Sequence, residues 1–298
     1  MSSHRVVVGV KGAPVNSAAL LWAVAEAGET GMLLVVGYAC PADSALAAPG
    51  AGTRMSLLEL VEPSLARAVA AAKQRLGGDR VAVVARAEPP GEMLVGLAES
   101  SDLLVIGSPA GRGWLERGST THYVVRHARC PVVVVRQPSG TLDTGEGGPF
   151  RGNVVVGVDG TASAQAALQF GFGYAVEHRR PLVALNVIPF AETDLWYDDE
   201  LLETHVTVES AALELLAQEV EPWEHKYPDV AVKRAVFMGR PLDGIVRAAD
   251  GAALLVVGDS SHGRVRQMLG SVSHGVIDRA RCPVAVVHGG NPEDEAEQ

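Results

Sequence analysis

The feature that most constrains this chain is that it is written twice. The run LLVIGSPAGRGWLERGSTTHYVVRHARCPVVV starts at residue 103, and LLVVGDSSHGRVRQMLGSVSHGVIDRARCPVA starts at residue 254, 151 positions later. VVVGVKG at residue 6 is answered by VVVGVDG at residue 154, 148 positions later. A period of about half the chain means duplication of a whole domain, not a solenoid of short units. Each copy carries an apolar run, a glycine, a polar loop ending in Gly-Ser, a helical segment, Cys-Pro and a second apolar run. The runs are apolar at successive positions instead of alternating, as in parallel strands covered by helices on both faces.

A length of 298 residues suits two domains. The expected division is 1–138, a linker over 139–151, 152–290, and an acidic tail over 291–298. The linker is polar and rich in glycine, without periodicity. In the first repeat, strands are expected over 6–10, 32–38, 80–87, 103–106 and 131–135. Helices fall between them over 17–27, 55–76 (broken at Pro63), 92–99 and 120–127. The second repeat places strands over 154–158, 182–187, 230–237, 254–257 and 283–287, and helices over 162–177, 197–226, 241–249 and 271–279. The fold class is α/β: two repeated, doubly wound, parallel five-stranded sheets. A net charge of −10 argues against a general nucleic-acid binder. No apolar run approaches a membrane span, and the first strand begins too early for a signal peptide. Three cysteines, Cys40, Cys130 and Cys282, without short spacing, speak against a metal knuckle or disulfide framework and for a reducing cytoplasm.

The chemistry is expected where the glycine loop of each repeat meets a helix N-terminus, just beyond the carboxyl end of a strand. Free amides and the positive end of a helix dipole make an anion site there, with phosphate as its usual occupant. In the second repeat the candidates are Gly258, Asp259, Gly263, Gly270, Ser271, Val272 and Ser273, with Arg264 and Arg266 near enough in sequence to pair with phosphate oxygens. In the first repeat they are Gly107, Gly113, Gly118, Ser119 and Thr120, with Arg112 and Arg117. Each set has a plainer reading, in which glycines only turn the chain and the serines cap their helices. Asp159 ends the first strand of the second repeat, where it is either a turn residue or a ligand for a nucleoside. Lys11 holds the matching place in the first repeat and cannot accept a hydrogen bond. His262, His274, His205 and His225 form no triad or metal spacing, so no catalytic residue and no metal ligand is assigned. The chain has no G-x-x-x-x-G-K-[ST] and no G-x-G-x-x-G after its first strand, which removes the P-loop and dehydrogenase readings.

Together, VVVGVDG, GRPLDGIVRAA from Gly239, ALLVVGD from Ala253, GSVSHGVI from Gly270 and RCPVAVV from Arg281 make the chain resemble the universal stress protein family in its tandem form. The resemblance covers nearly all of the chain outside the linker and tail. It implies an adenine nucleotide alpha hydrolase-like fold and an ATP site, with Mg2+ as companion ion, at the carboxyl edge of the sheet. On this pattern Gly157 and Asp159 approach the nucleoside, as Gly9 does in the first repeat. Val187 offers its backbone to adenine, and the glycine loop with Gly270 to Ser273 holds phosphates and ribose. The chain departs from the family's G-x2-G-x9-G-[ST]. Ser261 and Ala110 replace the second glycine, and the outer glycines are 12 and 11 steps apart where the pattern gives 13. The second repeat is therefore expected to be the better site.

Three functions follow as expectations. The first is an ATP-binding module for stress response or signalling that is not an enzyme. The second is a nucleotide-free scaffold whose domains pair with each other or in a homodimer through their last strands. The third is a slow ATPase.

Overall fold

The computed structural model describes residues 4–11, 17–47, 55–108, 119–137, 147–189, 199–259 and 270–289, with the side chains of 199–207 excepted. The chain forms two compact units, Met1–Leu142 and Asp143–Gln298.

In the first unit the strands are β1 (Arg5–Val10), β2 (Leu33–Ala39), β3 (Val81–Arg86), β4 (Leu103–Ser108) and β5 (Val132–Arg136). They lie side by side in the order β3-β2-β1-β4-β5, and every pairing is parallel. The helices are α1 (Ala18–Thr30), α2 (Met55–Val61), α3 (Pro63–Leu76), α4 (Pro90–Ala98) and α5 (Thr120–His127). The break expected at Pro63 is real. Proline has no amide to give and fixes φ, so it opens α3 at its first position instead of continuing α2. Gly31, at φ 78°, ends α1 in the left-handed conformation that a side chain would resist.

The second unit repeats the plan with β6 (Val154–Gly157), β7 (Leu182–Pro189), β8 (Val232–Gly239), β9 (Leu254–Gly258) and β10 (Val284–Val287). Their order is β10-β9-β6-β7-β8, again parallel throughout. Its helices are α6 (Ala162–Glu177), α7 (Asp199–Lys226), α8 (Pro241–Ala248) and α9 (Ser271–Arg279). Residues 147–152, at the end of the expected linker, are tied to this unit. The Gly148 amide donates to Asp250 O at 2.8 Å and the Gly152 amide to Gly251 O at 2.9 Å. Phe150 is buried, its ring 6.0 Å from that of Phe237. An apolar ring in a polar stretch gains more from burial than the segment loses in freedom.

The central strands are continuous valine and leucine runs, buried on both faces. β-Branched side chains favour this setting because their rotamers are already restricted. Cys40, Cys130 and Cys282 are buried free thiols. Burial pushes the Cys130 thiol up to about 11 and the Cys282 thiol up to about 12, so both are packing groups and not nucleophiles at neutral pH. Among the described residues no helix is long and apolar enough to cross a membrane.

In each unit the strand order turns about a central pair, β1 with β4 and β6 with β9. An open α/β sheet parts its loops there and leaves a crevice at the carboxyl edge.

Candidate nucleotide site

In the second unit the crevice is bounded by the ends of β6 and β9 and the start of α9. Gly270, with φ −60° and ψ 151°, precedes the first turn of α9, and no side chain caps that turn. The Gly270 amide donates to Asp259 O at 3.0 Å, which fixes the helix start against the end of β9. Ser271 is the first helical residue, as the expected helix over 271–279 has it, and it is exposed, so the plainer reading in which it caps the helix does not hold. Among the described residues no side-chain cap serves the first turn of α9, where the Ser271 and Val272 amides lie. That is the condition for a helix N-terminus to take an external anion.

The hydroxyl of Ser273 is committed inward. Ser273 is buried and donates to Gly258 O at 2.7 Å, so its side chain locks strand to helix. Gly258 is required by packing. A Cβ built there lies 2.7 Å from Ser163 O in the first turn of α6. At Gly157 the nearest such contact is 3.6 Å, to Val257 Cγ1, so this glycine is not forced by its neighbours. Asp259 is buried, and its Oδ2 meets His288 Nδ1 at 3.1 Å.

Asp159 is exposed beyond the end of β6. Its Oδ1 accepts from the Thr161 amide at 3.2 Å and the Thr161 hydroxyl at 2.6 Å. Thr161 in turn caps α6, accepting from the Ala164 amide at 3.2 Å. The turn role and the ligand role are thus not exclusive. One oxygen shapes the loop, while no contact is recorded for the other among the described residues. Val187 lies in β7 with its side chain against α8, 2.8 Å from the position of a Cβ on Gly244. What it can present to a ligand is backbone.

Several residues at this edge were not singled out from the sequence. Asn186 donates to Val158 O at 2.8 Å and braces the strand end beside Asp159. Trp223 donates from Nε1 to Gln165 Oε1 at 3.0 Å, and Gln165 donates to Glu219 Oε2 at 3.2 Å. Burial raises the Glu219 carboxyl above its usual range. The bond from Gln165 opposes that rise, and the charge of Asp159 adds to it. A second carboxyl thus stands near Asp159, held by a chain of side chains 54 and 58 positions from Gln165. No local motif could have signalled it.

The first unit uses the same edge differently. Ser119 is the cap of α5, accepting from the His122 amide at 3.2 Å, and Thr120 is the first helical residue. The start of α1 is doubly served: Gln137 Oε1 accepts from the Ala18 amide at 3.1 Å, and Ser17 caps from below. Tyr38 gives its hydroxyl to Glu62, and burial together with that carboxylate pushes it up to about 12. Lys11 is exposed. Gly9 is glycine because Leu94 leaves no space, its Cδ1 being 2.6 Å from a built Cβ. At Gly107 the nearest atom is Ala19 Cβ at 3.5 Å. Gly263, Arg264, Gly113 and Gly118 lie outside the described residues, as do Arg266, Arg112, Arg117 and His262.

A duplicated, doubly wound parallel sheet defines a tandem α/β protein. Residues 2–136 and 151–288 each match the Universal stress protein family. The chain belongs to the universal stress protein family. It is 32% identical over 303 residues to universal stress protein Rv2005c of Mycobacterium tuberculosis, covering 95% of this chain and 96% of that one. A solved universal stress protein from Archaeoglobus fulgidus superposes with a TM-score of 0.62 at 16% identity, covering 96% of this chain and 97% of that one. A single-domain universal stress protein solved in complex with cAMP is 23% identical over 47% of this chain and 99% of its own, with a TM-score of 0.36.

Proposed function

We propose that the second unit binds an adenine nucleotide, ATP with Mg2+, at the carboxyl edge of its sheet, and that the chain serves stress response or signalling through that binding. The observation that carries the reading is the start of α9. Its first-turn amides lack a side-chain cap, and they stand beside the ends of β6 and β9, where an α/β sheet takes its ligands. Asp159 supplies a carboxylate for the ribose, and the Val187 backbone supplies the adenine contact. The nucleotide is an effector that is held, not a substrate that is turned over.

Isothermal titration of the full chain with ATP and Mg2+ tests the reading, and Gly270→Val sharpens it. Gly270 sits at φ −60°, a conformation open to any residue. A valine there does not strain the backbone; it obstructs close approach of a phosphate to the amides. The expected result is saturable binding that Gly270→Val weakens about tenfold or more, the scale of a lost charge-assisted contact. Absence of binding to the unmodified chain at millimolar ATP overturns the reading.

A further inference from the structure

His288 follows β10 directly, and Asp259 follows β9. The last paired residues of these strands are Gly258 and Val287, so the two side chains stand opposite each other at the next step of the ladder. Backbone hydrogen bonds continue the connection to the helix: the Asp259 amide donates to Val287 O at 3.0 Å, and Asp259 O accepts from the Gly270 amide at 3.0 Å. The imidazole is therefore one residue from the atoms that fix the start of α9.

The ring is held by one nitrogen and idle at the other. Nδ1 lies 3.1 Å from Asp259 Oδ2. A carboxylate can only accept, so Nδ1 carries the hydrogen. Nε2 is buried and has no hydrogen-bond partner among the described residues. A buried polar atom left in this state costs about 1–3 kcal/mol, and a native site that tolerates it calls for an explanation. A carboxylate orienting an imidazole so that the far nitrogen is presented is the arrangement proteins use when that nitrogen has a ligand.

We propose that His288, oriented by Asp259, is a binding residue for an anion: its Nε2 donates a hydrogen bond to a phosphate oxygen of the polyphosphate held at the start of α9. This rests on the nucleotide reading above and adds to it a named contact at the phosphate end. With Nδ1–H given to Asp259, an N–H at Nε2 requires the imidazolium form. The imidazolium is therefore the form that holds the phosphate. The charged groups around the ring are consistent with that sign. Asp259 comes from β9 and favours the cation. α6 contributes an uncharged first turn, with Ser163 against Gly289. α9, which packs on β10, brings His274 in its first turn and Asp278 and Arg279 in its last, the latter paired with Asp243 at 2.7 Å. The first unit repeats the choice of charge: Arg136 of β5 stands opposite Ser108 of β4, so a cationic side chain ends the last strand there too.

The test uses the full chain labelled at histidine nitrogen, with ATP, sodium tripolyphosphate and adenosine as probes. Expected is a shift of the His288 Nε2 resonance to its protonated position with ATP and with tripolyphosphate, but not with adenosine. His288→Gln raises the dissociation constant for ATP about tenfold at pH 6.5, the scale of one charge-assisted bond, and leaves that for adenosine unchanged. If His288→Gln does not fold, the ring resonance of the unmodified chain decides alone. Binding of either phosphate with an unmoved His288 resonance overturns the proposal, and so does an unchanged affinity in folded His288→Gln. If tripolyphosphate moves the ring while ATP fails to bind, the anion contact stands and the nucleotide reading falls. If neither phosphate binds, both fall.

Discussion

The two halves start from nearly the same residues and reach opposite uses of one sheet edge. In the first, Ser119 caps α5, Gln137 caps α1, and Tyr38 is matched to Glu62. Its own side chains thus serve the starts of both helices. In the second, α9 begins one residue earlier, at the serine equivalent to Ser119, and its N-cap Gly270 has no side chain to offer. Among the described residues its edge carries a helix start without a side-chain cap, the Asp159 carboxylate and the His288 ring. The difference teaches that a Gly-Ser dipeptide does not by itself make a phosphate site. What matters is whether the serine sits before the helix, where it consumes an amide, or inside it, where it does not.

The largest effect that should separate the halves is steric. Gly258→Ala drives a methyl to 2.7 Å from the backbone of α6, whereas at Gly107 the nearest atom is 3.5 Å away. We expect Gly258→Ala to lower stability by about 1–3 kcal/mol in urea unfolding and Gly107→Ala to stay within about 0.5 kcal/mol. The asymmetry reverses one strand over. Gly9→Ala meets the methyl end of Leu94 at 2.6 Å, while Gly157→Ala meets Val257 at 3.6 Å. Gly9→Ala should therefore be the costly change of that pair, by about 1 kcal/mol, because a leucine methyl yields more easily than backbone. Equal losses within either pair would remove the packing distinction.

Next comes the ligand. Asp159→Asn keeps an oxygen for Thr161 but removes the charge, and should weaken ATP binding about tenfold by calorimetry, while Lys11→Ala leaves it unchanged. A smaller effect concerns the helix starts. Ser119→Ala removes a cap and should cost about 1 kcal/mol, whereas Ser271→Ala, at an exposed first helical position, should fall within about 0.5 kcal/mol. A cost for Ser271→Ala matching that of Ser119→Ala would erase the one-residue offset on which the comparison turns.

The smallest effect is in pH. The Asp102 carboxyl sits below its ordinary 3.8: burial works to raise it, but bonds from His4 and the Arg5 amide outweigh that. Its folded form binds its proton later than the unfolded chain does, so its contribution is present above 3.8 and is lost as pH falls through the lowered value. Glu219 is the reverse case, raised above its ordinary 4.5 by burial first. Its contribution is present below 4.5 and is lost as pH rises through the raised value. Glu219→Gln should therefore flatten the decline of stability above 4.5, and Asp102→Asn the decline below 3.8, each seen as a shift in the pH profile of the melting temperature. A Glu219→Gln profile that superposes on the unmodified one would count against the carboxyl pair.

The sheet was legible because its signal is local and repeated. Valine runs flanked by glycine mark the strands, Pro63 marks the helix break, and the duplication sets the register of one half by the other. The Asp159 position and the α9 start were legible for the same reason. The helix starts fell within the expected bounds 120–127 and 271–279, but that Ser119 caps its helix while Ser271 does not was not legible, since Gly118-Ser119 and Gly270-Ser271 read alike. Nor were His288 with Asp259, 29 positions apart, or Trp223 with Gln165 and Glu219. Those pairs arise because parallel strands and a long helix bring distant ends together, and no spacing rule encodes that.

The Trp223 indole has a practical value for anyone working with this molecule. Its N–H is bonded to an amide that in turn holds a carboxyl, and its half-buried ring lies 6.4 Å from that of the buried Phe172. Light absorbed there is emitted from a residue wired to the strand end where Asp159 stands. The second half thus carries its own optical gauge, able to register events at that edge without any dye being attached.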